Sequence, residues 1–344
     1  MGLIAALAGL LGIIPAQAGH NDDLHSDNIK MLTRKPIKID KGVFGQGSDL
    51  AFKGNRIYAG SYQGTALFKR VPKKKGFLKQ IGMHQCPGSQ GDVSVMGTTA
   101  FVSIDSASTN NGTGPTCNNT KTVGFHESES STGKEGVRVV DFKNPKQPKQ
   151  VAFVETKCGS HTHTLVPDGA TTYMYIESYP LGQAPDCDPA QGHGLVSILS
   201  FPTANPKAIK LAGTFDVTET PLPNDAPIGC HDLQAWPEKD IVIAACITES
   251  QVWDISNPAK PEILARINNP DIQIHHSAAF TWDGKYAIIS DEYGGAAGGG
   301  GCAADKDSTI GASFGRGVSV TSNVPASLIA FGLAVGKLRM LTRP

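Results

Sequence analysis

The sequence predicts an all-β fold, a β-propeller of four-stranded antiparallel blades, on three observations. First, five short stretches begin polar and become apolar: Gly47 to Phe52, Gln90 to Val95, His161 to Val166, Cys230 to Ala235 and His275 to Phe280. Second, each is followed by a tight-turn sequence and then a run rich in β-branched and aromatic residues. Third, two repeats end in nearly the same phrase, Asp141-Phe142-Lys143-Asn144-Pro145 and Asp254-Ile255-Ser256-Asn257-Pro258.

The turns after the first strands are Lys53-Gly54-Asn55, Met96-Gly97, Pro167-Asp168-Gly169, Pro237-Glu238-Lys239 and Trp282-Asp283-Gly284. Gly, Asn and Asp supply the positive φ that tight hairpins require. Second strands follow over residues 56–61, 100–104, 173–176, 241–247 and 286–290. Third strands are plain at Gly136 to Asp141 and Ser250 to Asp254. In the phrase that follows them the Asp side chain caps the turn, while Pro stops the strand from running on. Fourth strands then appear at Gln150 to Glu155 and Glu262 to Ile267. A lone sheet of this kind cannot bury both faces, so neighbouring repeats must cover one another. Polar segments from Ser106 to Lys134 and from Gly182 to Gly192 read as loops leaving one face, and Gly294 to Gly301 as a flexible loop.

Composition narrows the partners. Lys plus Arg and Asp plus Glu are equal at 31 each, which argues against nucleic acid as a partner. Met1 to Ala18 is apolar and ends Ala16-Gln17-Ala18, a small-x-small cleavage pattern, so residues 1–18 are expected to be a signal peptide. The mature chain is expected to lack a transmembrane span and to be a monomer, secreted, periplasmic or on the cell surface. Seven cysteines fit an oxidising compartment. Hairpin proximity predicts the pairs Cys86–Cys117, Cys158–Cys187 and Cys230–Cys246, with Cys302 left alone.

The turn phrase and the first strands resemble the LVIVD-repeat family of secreted β-propellers. The resemblance is carried by Gly88 to Asp92, Cys158 to Pro167, Gly229-Cys230-His231-Asp232 and Asp254 to Pro261, and it spans roughly residues 25–307. It implies a seven-bladed disc and speaks more to fold than to function. Five repeats are plain, so at least one implied blade is missing. Residues 19–314 are expected to form the propeller, with Asp27 to Lys38 as an outer strand closing the ring. Residues 315–344 read as an atypical tail that is not native blade sequence.

In a propeller the first strands line the central channel. His161, His163, His231, His275 and His276 fall in or beside them with Asp49, Asp92 and Asp232, so they are expected to gather at one channel mouth, and His84 flanks a first strand as well. Converging imidazoles with a carboxylate suit Zn²⁺. His163, His231 and His276 are the expected ligands. The alternative is that these side chains only hydrogen-bond backbone and water. Acids recur after the second strands as Asp105, Glu177, Glu249, Asp291 and Glu292. They read as solvated acids at loop bases, with Ca²⁺ binding or pairing to the channel histidines as the alternative. No nucleophile motif or dinucleotide fingerprint is present. Two function classes stay open. One is a binding module for an extracellular glycan or protein. The other is an extracellular polysaccharide lyase or hydrolase, metal-dependent in one form, working through the His/Asp cluster.

Overall fold

A computed structural model describes residues 32–39, 44–71, 77–87, 90–105, 135–178, 194–218, 229–269, 272, 274–284 and 286–291, and the backbone of 122–124, 313–318, 328–334 and 337–341. The described chain is all-β apart from two single-turn 3-10 helices. The first sheet is Gly47–Lys53, Arg56–Ser61, Gly64–Arg70 and Leu78–Gln85, paired antiparallel in chain order. The third is Thr162–Asp168, Thr171–Glu177, Leu195–Pro202 and Lys210–Asp216, and the fourth Asp232–Trp236, Ile241–Cys246, Glu249–Asp254 and Glu262–Ile267. The second, Val93–Met96, Thr99–Ile104, Gly136–Asp141 and Lys149–Glu155, gains a fifth, parallel strand at Thr122–Gly124. Such up-and-down sheets are propeller blades, and their first strands lie side by side in chain order.

The last sheet has five strands. Its first strands, His275–Phe280 and Tyr286–Asp291, are continued by Ser313–Val318, Leu328–Ala334 and Lys337–Leu341. The tail in which the sequence shows no hairpin thus supplies most of a five-stranded sheet at the level of the backbone. At the other end, Ile37–Lys38 pairs with Phe44–Gly45 instead of adding an outer strand to another blade. It lies on the first sheet, where Lys38 N donates to Gln80 Oε1 (2.8 Å) and Ile37 joins Ala59, Ala66 and Phe68 in a small core. Residues 1–31, with the expected signal peptide, lie outside the described residues.

The repeated phrase forms repeated structure. Asp141 Oδ1 accepts from Lys143 N and Asp254 Oδ1 from Ser256 N, both at 2.7 Å. Asn144 and Asn257 do the same two residues on, to Lys146 N and Ala259 N, both at 3.2 Å. The turn of one blade then rests on the blade before it. A Cβ on Gly82 would lie 2.2 Å from the Pro145 carbonyl oxygen, so only Gly permits that approach. Tyr175 Oη donates to the Pro258 carbonyl at 2.9 Å in the equivalent seam.

First strands are laced laterally by their own side chains. Asp49 Oδ2 accepts from Val93 N and Asp92 Oδ2 from His163 N, each at 2.9 Å. Thr162 Oγ1 donates to the His231 carbonyl, and Thr164 Oγ1 to that of Leu233 (2.9 Å). Between these strands and the blade rims lie apolar seams. The seam of the third and fourth blades buries Val166, Tyr175, Phe215 and Trp253.

Buried polar side chains also fix the connections between blades. Arg138 donates to the carbonyls of Cys86 (2.7 Å) and Pro87 (2.9 Å), and Gln251 and Arg266 share the Val217 carbonyl in the fourth blade. His84, in the fourth strand of the first blade, is buried beside Arg138 and far in role from the channel. Burial, and then the Arg138 charge, pull its imidazole down to about 4. The unfolded chain therefore binds a proton between about 6.5 and 4 that the folded chain refuses. Stability from this group is complete above pH 6.5 and falls as pH drops toward 4. His84→Gln should flatten that slope, and the wild type should lose roughly 3 kcal/mol relative to it by pH 4 in urea titrations. Equal pH slopes for the two proteins would contradict the assignment.

Candidate metal centre at the channel mouth

The ends of the first strands open into a cavity of ≈ 500 Å³ lined by Asp49, Asp92, His161, His231, Asp232 and His276, with Ser48, Gln90, Thr162, Ile247 and Ile274. None of these lining residues is Lys or Arg. Six of the eight residues expected at the mouth are therefore there.

The imidazoles meet closely. His161 Nε2 lies 3.1 Å from His231 Nε2, and the His231 and His276 ring centroids are 3.8 Å apart. His231 Nδ1 is 3.4 Å from Asp232 Oδ1. One ligand atom each from His231, Asp232 and His276 falls within 4.8 Å of the others. Tetrahedral ligands at Zn–N distances of about 2.05 Å are separated by about 3.3 Å, so these three side chains would have to draw together to share one ion. The opposite nitrogen of His161 is held by Asp105, a buried carboxylate. A carboxylate behind an imidazole is the usual way a metal-binding histidine is oriented.

Two of the expected residues face elsewhere. His163 is fully buried between blades, its Nε2 2.7 Å from Ser94 Oγ and its Nδ1 2.7 Å from Ser103 Oγ and 2.9 Å from Asp92 Oδ2. It is not one of the three grouped ligands, and Asp232 takes its place. The cause is register. His161 and His231 both precede their ladders, donating N–H to the carbonyls of Glu177 and Ala245 at 2.7 Å. His161, not His163, is thus the structural equivalent of His231. His163 does point to the same side of its strand, toward the second blade, but one step deeper. His275 is also buried, against Ser250 Oγ (2.7 Å). A bulge between His275 and Ser277 turns His276 into the cavity.

The acids after the second strands are buried, not solvated. Asp105 holds His161, Glu249 pairs with Arg266, and Asp291 accepts from Ile274 N (3.0 Å). Glu292 lies outside the described residues. Glu177 sits beneath the mouth, accepting from Thr162 Oγ1 (3.1 Å). Burial, with Asp232 and Asp92 adding repulsion, pushes its carboxyl well up. Burial and Asp92 raise Asp49 likewise. Burial opposes ionisation of Asp92 too, but the His163 imidazole and hydrogen bonds from His163 and Asp49 outweigh it and hold its carboxyl low. The mouth is thus an acidic pocket whose carboxyl groups oppose one another's ionisation.

A disulfide braces both walls. Cys230, next to His231, is bridged to Cys246 with a Cα separation of 3.6 Å, as the hairpin spacing predicts. Ile247, next to Cys246, has φ 55° and exchanges backbone hydrogen bonds with His275 in both directions (2.7 and 3.2 Å). Cys86 and Cys158 are also disulfide-bonded. Their expected partners Cys117 and Cys187, and Cys302, lie outside the described residues.

No family model and no curated protein matches this chain. Among solved structures it is similar to hydrazine synthase of Kuenenia stuttgartiensis (11% identity over 86% of this chain and 68% of that one, TM-score 0.49). It is also similar to the β-propeller domain of Cps50 (Swd1) from Myceliophteria thermophila (11%, 86% and 73%, TM-score 0.47). A functionally unknown protein from Desulfotomaculum acetoxidans aligns at 10% identity over 88% and 71%, with a TM-score of 0.45. Likeness at this level carries nothing about activity. The sheets themselves define the class: this is a β-propeller.

Proposed function

We propose that the chain is an exported β-propeller, of the LVIVD-repeat kind, that holds one divalent transition ion at the channel mouth through His231, Asp232 and His276, with His161 beside them. The single observation that carries this reading is the grouping of three ligand atoms within 4.8 Å in an acidic, open cavity. The donor set suits Zn²⁺ or a similar ion better than Ca²⁺, which prefers six to eight oxygens. A cation also relieves the repulsion among Asp49, Asp92, Asp232 and Glu177. Bound there, such an ion would polarise an oxygen of a ligand or a water molecule. Asp105 fixes His161, the disulfide fixes the His231 segment, and the ≈ 500 Å³ cavity leaves room for a small polar ligand. Export agrees with the disulfides, and among the described residues no helix is long and apolar enough to cross a membrane.

The test is calorimetric titration of chelator-treated protein with Zn²⁺, beside elemental analysis of the purified protein. One ion per chain is expected. His231→Ala and His276→Ala should each weaken binding by more than about 10- to 100-fold, the loss that removing a mere orienting partner of a ligand already brings. His163→Ala should keep the ion. Affinity should fall in acid, because a protonated imidazole cannot ligate. Wild-type affinity in His231→Ala, or loss of the ion in a folded His163→Ala, would sink the proposal.

A further inference from the structure

We propose that the opposite face of the propeller carries a groove for a neutral oligosaccharide, built where the fourth and fifth blades meet from Trp236, Phe280 and Trp282. The first strands run from the histidines at the metal centre to these aromatics. Asp232–Trp236 follows His231, and His275–Phe280 ends on Phe280. At about 3.3 Å per residue, Trp236 lies some 16 Å along the strand from His231, so the two sites are separate.

The groove has a cavity of ≈ 350 Å³ lined by Gln234, Ala235, Trp236, Glu238, Phe280, Thr281 and Trp282. Trp236 and Phe280 lie with ring centroids 5.7 Å apart, one from each blade. Trp282 is fully exposed, at 104% of its reference area. A single exposed aromatic needs no explanation, but aromatics of two blades converging on one concavity do.

The groove is preformed. Thr281 Oγ1 donates to Asp283 Oδ1 (2.7 Å) and accepts from Tyr286 N (3.1 Å), which fixes the turn that carries Trp282. Gly284, with φ 66°, closes that turn against the Trp236 indole, where a Cβ would come within 2.3 Å of the ring. Gln234 Oε1 accepts from Phe280 N and ties the two blades across the floor. The backbone that carries the aromatics is therefore set before binding, and the ordering left to a ligand is that of the exposed Trp282 side chain.

The chemistry of the lining selects the ligand. A pyranose ring presents a face of C–H groups that packs on an indole and an edge of hydroxyl groups that need acceptors. Glu238 lines the cavity and offers a carboxylate to accept from such hydroxyl groups. It is the sole charged group in the lining and is negative, which disfavours acidic polysaccharides, phosphates and nucleic acid. The volume is at the lower end of small-molecule sites, enough for one or two sugar rings and too small for the core of a stable protein interface.

The chain has three Trp, and Trp253 is fully buried. Solvent-sensitive emission therefore comes from Trp236 and Trp282. Full-length protein would be titrated with cellohexaose, mannohexaose and chitohexaose while intrinsic fluorescence is followed. A saturable blue shift with at least one of them is expected. Trp282→Ala, an exposed change that leaves the fold alone, should weaken it about tenfold or more, and Glu238→Gln should weaken it less. Saturating chelator should leave it unchanged, and so should His231→Ala. The proposal is overturned by no saturable change up to about 10 mM sugar, the weak end of specific affinity. It is overturned equally by wild-type binding in Trp282→Ala, by loss of binding with chelator, which would place the sugar at the metal centre, or by Trp282→Ala dissolving a dimer, which would make the groove a contact between copies of this chain.

Discussion

Replacing Cys230 and Cys246 together by Ser should lower the unfolding free energy by about 3 kcal/mol and weaken Zn²⁺ binding as well. The bridge closes a loop of sequence separation 16, and removing a cross-link of that span returns about 3 kcal/mol of chain entropy to the unfolded state. The effect on the ion is local. Cys230 carries His231 as its next residue, and Cys246 carries Ile247, whose backbone holds that of His275 on both sides. Cutting the bridge frees the His231 and His276 segments to move independently, so ligands now fixed in advance must be ordered at binding. Urea denaturation of the chelator-treated double variant measures the first effect, and Zn²⁺ titration the second. A variant that loses stability but binds Zn²⁺ as tightly as wild type would show that the bridge staples the blade without shaping the site.

Trp253→Ala should cost about 4 kcal/mol, since Trp253 is the largest fully buried side chain among the described residues. Trp253 is completely buried in the seam of the third and fourth blades, 4.9 Å from Phe215 and 6.2 Å from Tyr175 by ring centroid. Its Nε1 donates to Gln251 Oε1 at 2.7 Å, and Gln251 Nε2 in turn donates to Glu249 Oε1 at 2.7 Å. Alanine leaves a large cavity and strips a buried amide of its donor. Trp253→Phe separates the two contributions. It keeps most of the packing and should cost about 1–3 kcal/mol for the lost hydrogen bond. A value below about 1 kcal/mol for the alanine variant in thermal or urea unfolding would mean that the two blades do not share this core.

Much of the fold is legible in the sequence because its signals are local. Alternating strands, Gly- and Asp-rich hairpins and the Asp-x-x-Asn-Pro phrase need no knowledge of distant contacts, and Asp141 and Asp254 cap their turns as their chemistry dictates. The tail is the exception. Residues 315–344 show no clear hairpin and no Asp-x-x-Asn-Pro phrase, and the pairing of 313–318, 328–334 and 337–341 is visible in the backbone alone.

The site is legible in part. That histidines and aspartates gather at one mouth follows from their placement near first strands. Which of them face the cavity does not, because a shift of one residue reverses the side of a strand. His275 lies in a blade seam in this way and His163 by depth, on the same side as His161 but one step further along the strand, while His161 and His276 reach the cavity through position before a ladder and a bulge within one. The aromatic groove was hidden for another reason. Trp236-Pro237 and Trp282-Asp283-Gly284 read as turns, and only the shared level of Trp236 and Phe280 at the ends of adjoining first strands hints that they meet.

X-ray absorption at the zinc edge of the metal-loaded protein reads the ligands of the ion themselves. Two or three imidazole nitrogens are expected near 2.0–2.1 Å, with carboxylate or water oxygen completing a low coordination number, and one imidazole fewer in His276→Ala. A six-oxygen shell without imidazole, or an unchanged shell in His276→Ala, would contradict the proposed metal centre.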